Sequence, residues 1–144
     1  MTIFSGQGVG AVAALLLSTT LGAFAQDVPE NAKMGEAEFN NSCASCHGSD
    51  AKGAGFLTRV FRGVDPGDLT QLAKNNDGQF PSERVFEVID GRADVLAHGD
   101  RKMPVWGERY WETAMSEYGP EEFNEQRAQN RVRELVVYLE AIQE

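Results

Sequence analysis

Residues 39–50, "FNNSCASCHGSD", contain both cysteines of the chain and one of its two histidines. Cys43, Cys46 and His47 all fall within this short segment. Side chains three positions apart share one face of a helical turn, so Cys43 and Cys46 are predicted to point in the same direction. His47 follows Cys46 at once and adds an imidazole. This segment therefore has to be explained as a redox dithiol, a metal site or the attachment point of a cofactor.

Three interpretations of Cys-Ala-Ser-Cys-His compete. A thioredoxin-type dithiol is expected after a strand in a βαβ unit, but residues 30–42 look helical and contain no β-branched residue. A structural zinc site uses four ligands, usually two such pairs, and this chain has one pair and a distant His98. Cys-x-x-Cys-His is the signature of covalent c-type haem attachment. We therefore predict that Cys43 and Cys46 form thioethers with the porphyrin and that His47 binds the iron.

The amino-terminal segment indicates export. The first 26 residues carry no charged side chain, and an apolar run at residues 9–17 precedes Ala23 and Ala25, which have the small-x-small spacing of a signal-peptidase site. An apolar run this short does not cross a bilayer core, which needs about 20 residues. We predict a removed signal peptide at residues 1–25 and one domain at residues 26–144. No Lys or Arg precedes the apolar run, so a disordered or weakly helical tail is the alternative.

The charge of the chain indicates which partners to expect. Lys and Arg number 13 and Asp and Glu number 22, which gives a net charge of −9. This balance argues against nucleic-acid binding, where basic side chains supply most of the affinity. It also argues against strong membrane association after signal removal. We expect protein partners with basic docking surfaces, although negative charge also keeps small exported proteins soluble.

A haem iron bound by His47 has a second axial position. Met103 lies in "DRKMPVWG", where Pro104 keeps the preceding residue out of the α region and so predicts an extended loop. A thioether ligand needs such a loop to reach the iron. Met34 lies too close before the cysteines, and Met115 lies in a helical context. We predict Met103 as the distal iron ligand, with His98 as the alternative.

With these features the chain resembles the class I c-type cytochromes, specifically the small bacterial monohaem ones. The matching parts are the Cys43–Gly48 motif, Met103-Pro104 and a closing helix at residues 131–143. The resemblance spans most of residues 33–143. It implies an all-α fold of three core helices around one covalently bound haem c, with His47 and Met103 as axial ligands. It also implies that a backbone carbonyl near Pro66 accepts a hydrogen bond from Nδ1 of His47.

Periodicity supports the helices of such a fold. Gly35, Phe39 and Cys43 recur every four residues and so share one face of the first helix. An apolar stripe in the last helix follows the spacing of a buried face: Val132, Leu135, Val136, Leu139 and Ile142. The resemblance implies that the two helices cross, with Gly35 and Phe39 against Leu135, Tyr138 and Leu139. Between them, Ser82 is predicted to cap a helix over residues 82–90 that Gly91 ends.

The chain departs from the shortest cytochromes of this class at residues 108–126, an acidic and aromatic segment that Gly119-Pro120 divides. A docking platform and a plain helical extension with its aromatic rings against the core are both open, and we favour the extension. Candidate residues for the apolar wall of the haem site are Phe56, Leu57, Val60, Phe61, Val105 and Trp106. Candidate partners of the propionates are Arg59, Arg62 and Arg92.

Two axial protein ligands leave no coordination position for a substrate. The predicted function is therefore that of a periplasmic monohaem c-type cytochrome, from a Gram-negative-type bacterium, that shuttles single electrons between redox partners by outer-sphere transfer. No enzymatic reaction is predicted. Two alternatives remain, a cytochrome subunit of a periplasmic dehydrogenase complex and a haem enzyme with a labile sixth ligand.

Overall fold

The computed structural model of the chain describes residues 28–61, 63–91 and 103–144, and every regular element in these ranges is a helix. The predicted signal peptide, Arg62, Arg92 and His98 lie outside the described residues. The α-helices are α1 (Lys33–Ser42), α2 (Ala44–His47), α3 (Ser82–Asp90), α4 (Trp106–Tyr118) and α5 (Asn124–Ala141). Short 3₁₀ turns occupy Glu30–Ala32, Phe56–Arg59, Leu69–Gln71 and Lys74–Asn76. The predicted all-α class is confirmed.

The crossing of α1 and α5 organises the molecule. Gly35 lies directly against α5, where a Cβ atom built on it would overlap the carbonyl oxygen of Glu134 and come within 2.7 Å of Cβ of Tyr138. One turn further on, the rings of Phe39 and Tyr138 pack at 5.2 Å between centroids and 46° between planes. The predicted crossing is therefore present, and the missing side chain at Gly35 sets how closely the two helices approach.

The core is built along α5. Val132 and Leu135 are fully buried there, and Val136, Tyr138 and Leu139 extend the same stripe. Two other helices pack on this stripe, α3 through Val85 and Ile89 and α4 through Tyr110 and Ala114. The predicted apolar face of the last helix is thus the spine of the domain, and Ile142 lies partly buried at its end.

The helix boundaries differ from the sequence predictions at two places. Ser82 does not cap α3: it is the first helical residue, Pro81 takes the cap position, and no side-chain cap bond forms. Gly91 ends α3 as predicted, with φ at 92° in the left-handed region that glycine adopts without strain. Helix α5 begins at Asn124, well before residue 131, because the buried Asn124 amide donates to the Gly119 carbonyl at 2.7 Å and holds the turn that starts the helix.

Residues 108–126 form most of α4 and the start of α5. The prediction that their aromatic rings lie against the core is right for Tyr110, which is 2% exposed, and wrong for the others. Trp111, Tyr118 and Phe123 are 40%, 53% and 54% exposed. Tyr110 is four residues before the buried Ala114, on the inner face of α4, whereas Trp111 is one residue round the helix and faces outward. Within the described ranges, no helix is both long enough and apolar enough to cross a membrane.

Candidate functional site

The Cys-x-x-Cys-His segment forms a single helical turn at the end of α1. The amides of Cys46 and His47 both donate to the carbonyl of Cys43, at 3.1 and 3.0 Å. Cys43 and His47 are buried and Cys46 is half-buried. These bonds fix the spacing of the two thiols and the imidazole, so the predicted attachment residues are brought together on one compact turn.

The chain after the motif folds back over it. Gly48 ends the turn with φ at 80°, a left-handed conformation that favours glycine. The amide of Gly53 donates to the carbonyl of His47 at 2.7 Å, and the amide of Gly55 donates to that of Cys46 at 3.0 Å. A Cβ atom on Gly55 would lie 2.5 Å from the carbonyl carbon and oxygen of Cys46, so only glycine allows this approach. The segment from Gly53 to Gly55 therefore lies directly against the Cys-x-x-Cys-His turn.

This return places an apolar surface beside Cys46. Phe56, Val60 and Phe61, which follow Gly55, are each at least 56% exposed. Large apolar side chains grouped on a surface mark a site that a ligand or another protein covers. A porphyrin is large, planar and apolar on both faces, so this surface fits a haem held at Cys43 and Cys46. Of the other predicted wall residues, Leu57, Val105 and Trp106 are partly buried.

The two thiols remain free in this fold. Burial, with smaller contributions from Glu38 and Cys46, raises the pKa of the Cys43 thiol to about 12. Within residues 28–61, 63–91 and 103–144, no group of three or more His, Cys, Asp and Glu side chains is arranged to hold a metal ion. The donor set consists of two thiols available for thioethers and one imidazole, which fits covalent haem attachment.

The distal candidates lie in different surroundings. Met103 precedes α4 outside any helix and packs, partly buried, against the core that contains Cys43. Met34 is exposed on α1, and the sulfur of Met115 accepts a hydrogen bond from the amide of Asn124 at 3.2 Å. Met34 thus faces solvent and Met115 is bonded to Asn124, and His98 lies outside the described residues. Ligation by Met103 stays a prediction.

The turn at Pro66-Gly67 lies against the loop that follows His47. A Cβ atom on Gly53 would lie 2.7 Å from the Gly67 carbonyl oxygen, and the amide of Leu69 donates to the Ala51 carbonyl at 2.8 Å. Nδ1 of His47 is buried. The expected bond from this atom to a carbonyl near Pro66 stays a prediction, and the turn that would supply the carbonyl is next to the residues that follow His47.

Sequence analysis missed a polar cluster at the carboxyl end of α1. The guanidinium of Arg131 donates to both carboxylate oxygens of Glu38, at 2.9 to 3.1 Å, and the hydroxyl of Ser42 donates to the same carboxylate at 2.7 Å. Arg131 also lies over the ring of Tyr110 at 4.0 Å. The cluster joins α1, α4 and α5 immediately before Cys43. Its members are far apart in the chain, so no local pattern signals it.

Comparison with known protein families finds a match over most of the chain. Residues 30–139 match the family described as "Cytochrome C oxidase, cbb3-type, subunit III". Comparisons with curated proteins and with solved structures find no significant match. The matched range covers α1 through most of α5 and includes the Cys43–Gly48 turn and Met103.

Proposed function

The chain belongs to the cytochrome c oxidase, cbb3-type, subunit III family and is a class I c-type cytochrome domain, and from this premise we propose that it is a periplasmic monohaem electron carrier. Membership in this family implies covalently bound haem c, haem-based electron transfer and redox protein partners. The number of haems, the axial ligands, the compartment and the role as a mobile carrier are parts of the proposal.

The attachment residues are Cys43 and Cys46, with His47 as the proximal iron ligand. The observation that carries this proposal is the hydrogen-bonded turn that holds two cysteines and a buried imidazole beside an exposed apolar surface. One Cys-x-x-Cys-His motif in the sequence supports one haem on this chain. When bound, haem c supplies a one-electron Fe(II)/Fe(III) couple.

The protein would position the haem and exclude water from it. Cys43 and Cys46 hold the cofactor by two bonds, and the apolar side chains of Phe56, Val60 and Phe61 exclude water from it. Methionine as the second ligand favours the ferrous form relative to a second imidazole and so raises the reduction potential. Met103 is the proposed residue, because it lies outside any helix, shortly before α4, and packs on the core that contains Cys43.

Mass spectrometry and absorption spectra of the exported protein test the attachment. One haem mass added to the chain processed after residue 25, together with the spectrum of a haem with two thioethers, is the expected result. A colourless protein with two free thiols refutes the proposal. The same measurement tests the signal peptide, because a protein that still contains residues 1–25 contradicts that prediction.

The distal ligand has its own spectroscopic test. Oxidised protein with methionine on the iron shows a far-red sulfur-to-iron charge-transfer band, and the reduced protein then does not bind carbon monoxide. We expect Met103→Ala to remove the band and His98→Ala to leave it. If His98→Ala changes the iron spectrum and Met103→Ala does not, the assignment moves to His98. Carbon monoxide binding to the untreated reduced protein favours the haem-enzyme alternative.

A second candidate function is that of a subunit working inside a complex. The description of the matched family, which names an oxidase subunit, favours this candidate. Purification from the native membrane and soluble fractions at low ionic strength distinguishes the carrier from the complex subunit. A carrier is recovered alone and reacts with basic redox proteins at a rate that falls as salt screens the attraction, whereas a subunit copurifies with a larger partner.

A further inference from the structure

The end of α5 is tied to the loop that lies beside the residues following His47. The side-chain amide of Gln143 donates to the carbonyl of Leu69 at 2.9 Å and accepts from the amide of Ala73 at 2.8 Å. It lies two residues after the end of α5 and also donates to the carbonyl of Leu139 at 2.6 Å, which anchors it to the last turn of that helix. One side chain therefore fixes both ends of a five-residue loop segment against α5.

Hydrogen bonds continue from this loop toward the proposed iron ligand. The amide of Leu69 donates to the Ala51 carbonyl at 2.8 Å, and the amide of Ala51 donates to the Gly48 carbonyl at 3.1 Å. Gly48 directly follows His47 and ends its helical turn. The hydrogen-bonded path from Gln143 to Gly48 thus runs through Leu69 and then through Ala51, which lies in the loop that follows the motif.

Ala51 is held in an unfavourable backbone conformation on this path. Its φ is 59°, in the left-handed region, and its side chain is fully buried. Such a conformation in a residue other than glycine persists only where the surroundings enforce it. The bonds to Leu69 and Gly48 enforce it here, so the return loop depends on the loop that Gln143 holds.

A second contact ties the same region to the same helix end. The ammonium of Lys52 pairs with the carboxylate of Glu144 at 2.9 Å, and the amide of Glu144 donates to the carbonyl of Thr70 at 2.9 Å. The ion pair between Lys52 and Glu144 is exposed to solvent, so it contributes less than Gln143 to holding this loop. Gln143 is partly buried and makes three bonds at once, which makes it the stronger tie.

We propose that Gln143 is a positioning residue for the proximal side of the haem site, acting through Leu69 and Ala51 to fix the orientation of His47. The inference rests on the proposed function, because it takes His47 as the iron ligand. The orientation of an imidazole ligand and the bonds around it tune the metal that it binds. Gln143 is therefore expected to influence the reduction potential from outside the haem site.

The test uses haem-loaded protein and three variants. Gln143→Met removes all the side-chain bonds at similar length. Gln143→Glu keeps an acceptor for the Ala73 amide, but both donated bonds are lost and a carboxylate oxygen then faces the carbonyl oxygens of Leu69 and Leu139. Gln129→Met is the matched control, because Gln129 lies on α5 and bonds Glu125 and Arg133 of its own helix.

For Gln143→Met we expect three changes relative to wild type and to the control. Hydrogen exchange at the amide of Ala73, which loses its acceptor, accelerates by about fivefold, the size expected when one hydrogen bond is lost, and exchange at the Leu69 amide accelerates as the loop loosens. The reduction potential changes, and the paramagnetically shifted proton signals of His47 move. Gln143→Glu also changes the reduction potential and the His47 signals, but leaves exchange at the Ala73 amide closer to wild type because that amide keeps its acceptor.

Unchanged potential and unchanged His47 signals in both Gln143 variants, with faster exchange alone, overturn the inference and leave Gln143 as a structural tie. Equal changes in the Gln129→Met control overturn it as well. A wild-type protein purified without covalent haem refutes the proposed function itself, and is distinguished because it is seen before any variant is compared.

Discussion

Replacing Gly35 with alanine is expected to push α1 away from α5 and destabilise the protein. The added methyl would overlap the carbonyl oxygen of Glu134 and lie 2.7 Å from Cβ of Tyr138. Both atoms belong to the backbone or to the base of a side chain, so no flexible end can swing away. The helices themselves have to separate, and the contact between Phe39 and Tyr138 loosens with them.

Two opposing effects set the magnitude. Alanine has the higher helix propensity, which favours the variant by about 1 kcal/mol. Adding a methyl to a tightly packed contact costs about 1 to 3 kcal/mol, and more where the backbone must shift. The overlap with backbone at Gly35 points to the upper end of that range. We therefore expect a net loss of about 2 kcal/mol in the free energy of unfolding.

Urea unfolding of the haem-loaded protein, followed by circular dichroism, measures this loss. Asn40→Ala is the matched control, because Asn40 lies on the exposed face of the same helix and the change gains propensity without a clash. We expect the control to be more stable than wild type by about 0.5 kcal/mol. A Gly35→Ala protein as stable as wild type would show that the close crossing is not a constraint, and the reasoning would fail.

Three other changes give distinct results. Cys46→Ser should leave at most one thioether, seen as an altered haem absorption spectrum and as haem held by Cys43 alone in peptide mass spectra; an unchanged spectrum contradicts the attachment. Glu38→Gln weakens the two-pronged bond to Arg131 and should lower the free energy of unfolding by about 1 to 2 kcal/mol, and unchanged urea midpoints would show that the cluster is dispensable. Burial raises the pKa of Tyr110 above its ordinary 10.0, so its contribution to stability is complete below pH 10 and is lost as the pH rises further. Tyr110→Phe should therefore reduce the loss of stability seen between pH 9 and 11, and an identical pH dependence would refute this assignment.

The sequence predicted those features that depend on local order. The helix that ends directly before Cys43, the four-residue spacing of Gly35 and Phe39, and the apolar stripe of the last helix each follow from positions close together in the chain. Gly91 ended α3 as predicted because only glycine takes that conformation freely. The proposed attachment residues also come from one short motif, and their roles stay a prediction.

The remaining features depend on contacts between distant residues. Glu38 and Arg131 are 93 positions apart, and Gln143 reaches Leu69 across 74. Glu38, Arg131 and Gln143 are polar residues that look like ordinary surface when only their neighbours are considered, and the partner of Gln143 is the backbone carbonyl of Leu69, which carries no side-chain signal. The outward position of Trp111 had the same cause, since the register of α4 is set by which side meets α5 and not by the segment's composition. Sequence periodicity does not predict which distant residues meet or which side of a helix packs against its neighbour.

These long-range polar ties lie on opposite sides of the Cys-x-x-Cys-His turn. The Glu38 cluster fixes the end of α1 immediately before Cys43, and Gln143 fixes the loop beside the residues that follow His47. Arg131 lies on α5 and Gln143 lies two residues after its last residue, and α5 also carries the central apolar stripe of the core. A four-residue helix such as α2 is too short to be stable alone, so its geometry has to come from what holds its two ends. Helix α5 contributes no residue to the site, but together with the segment directly after it this helix determines how rigidly the site is held.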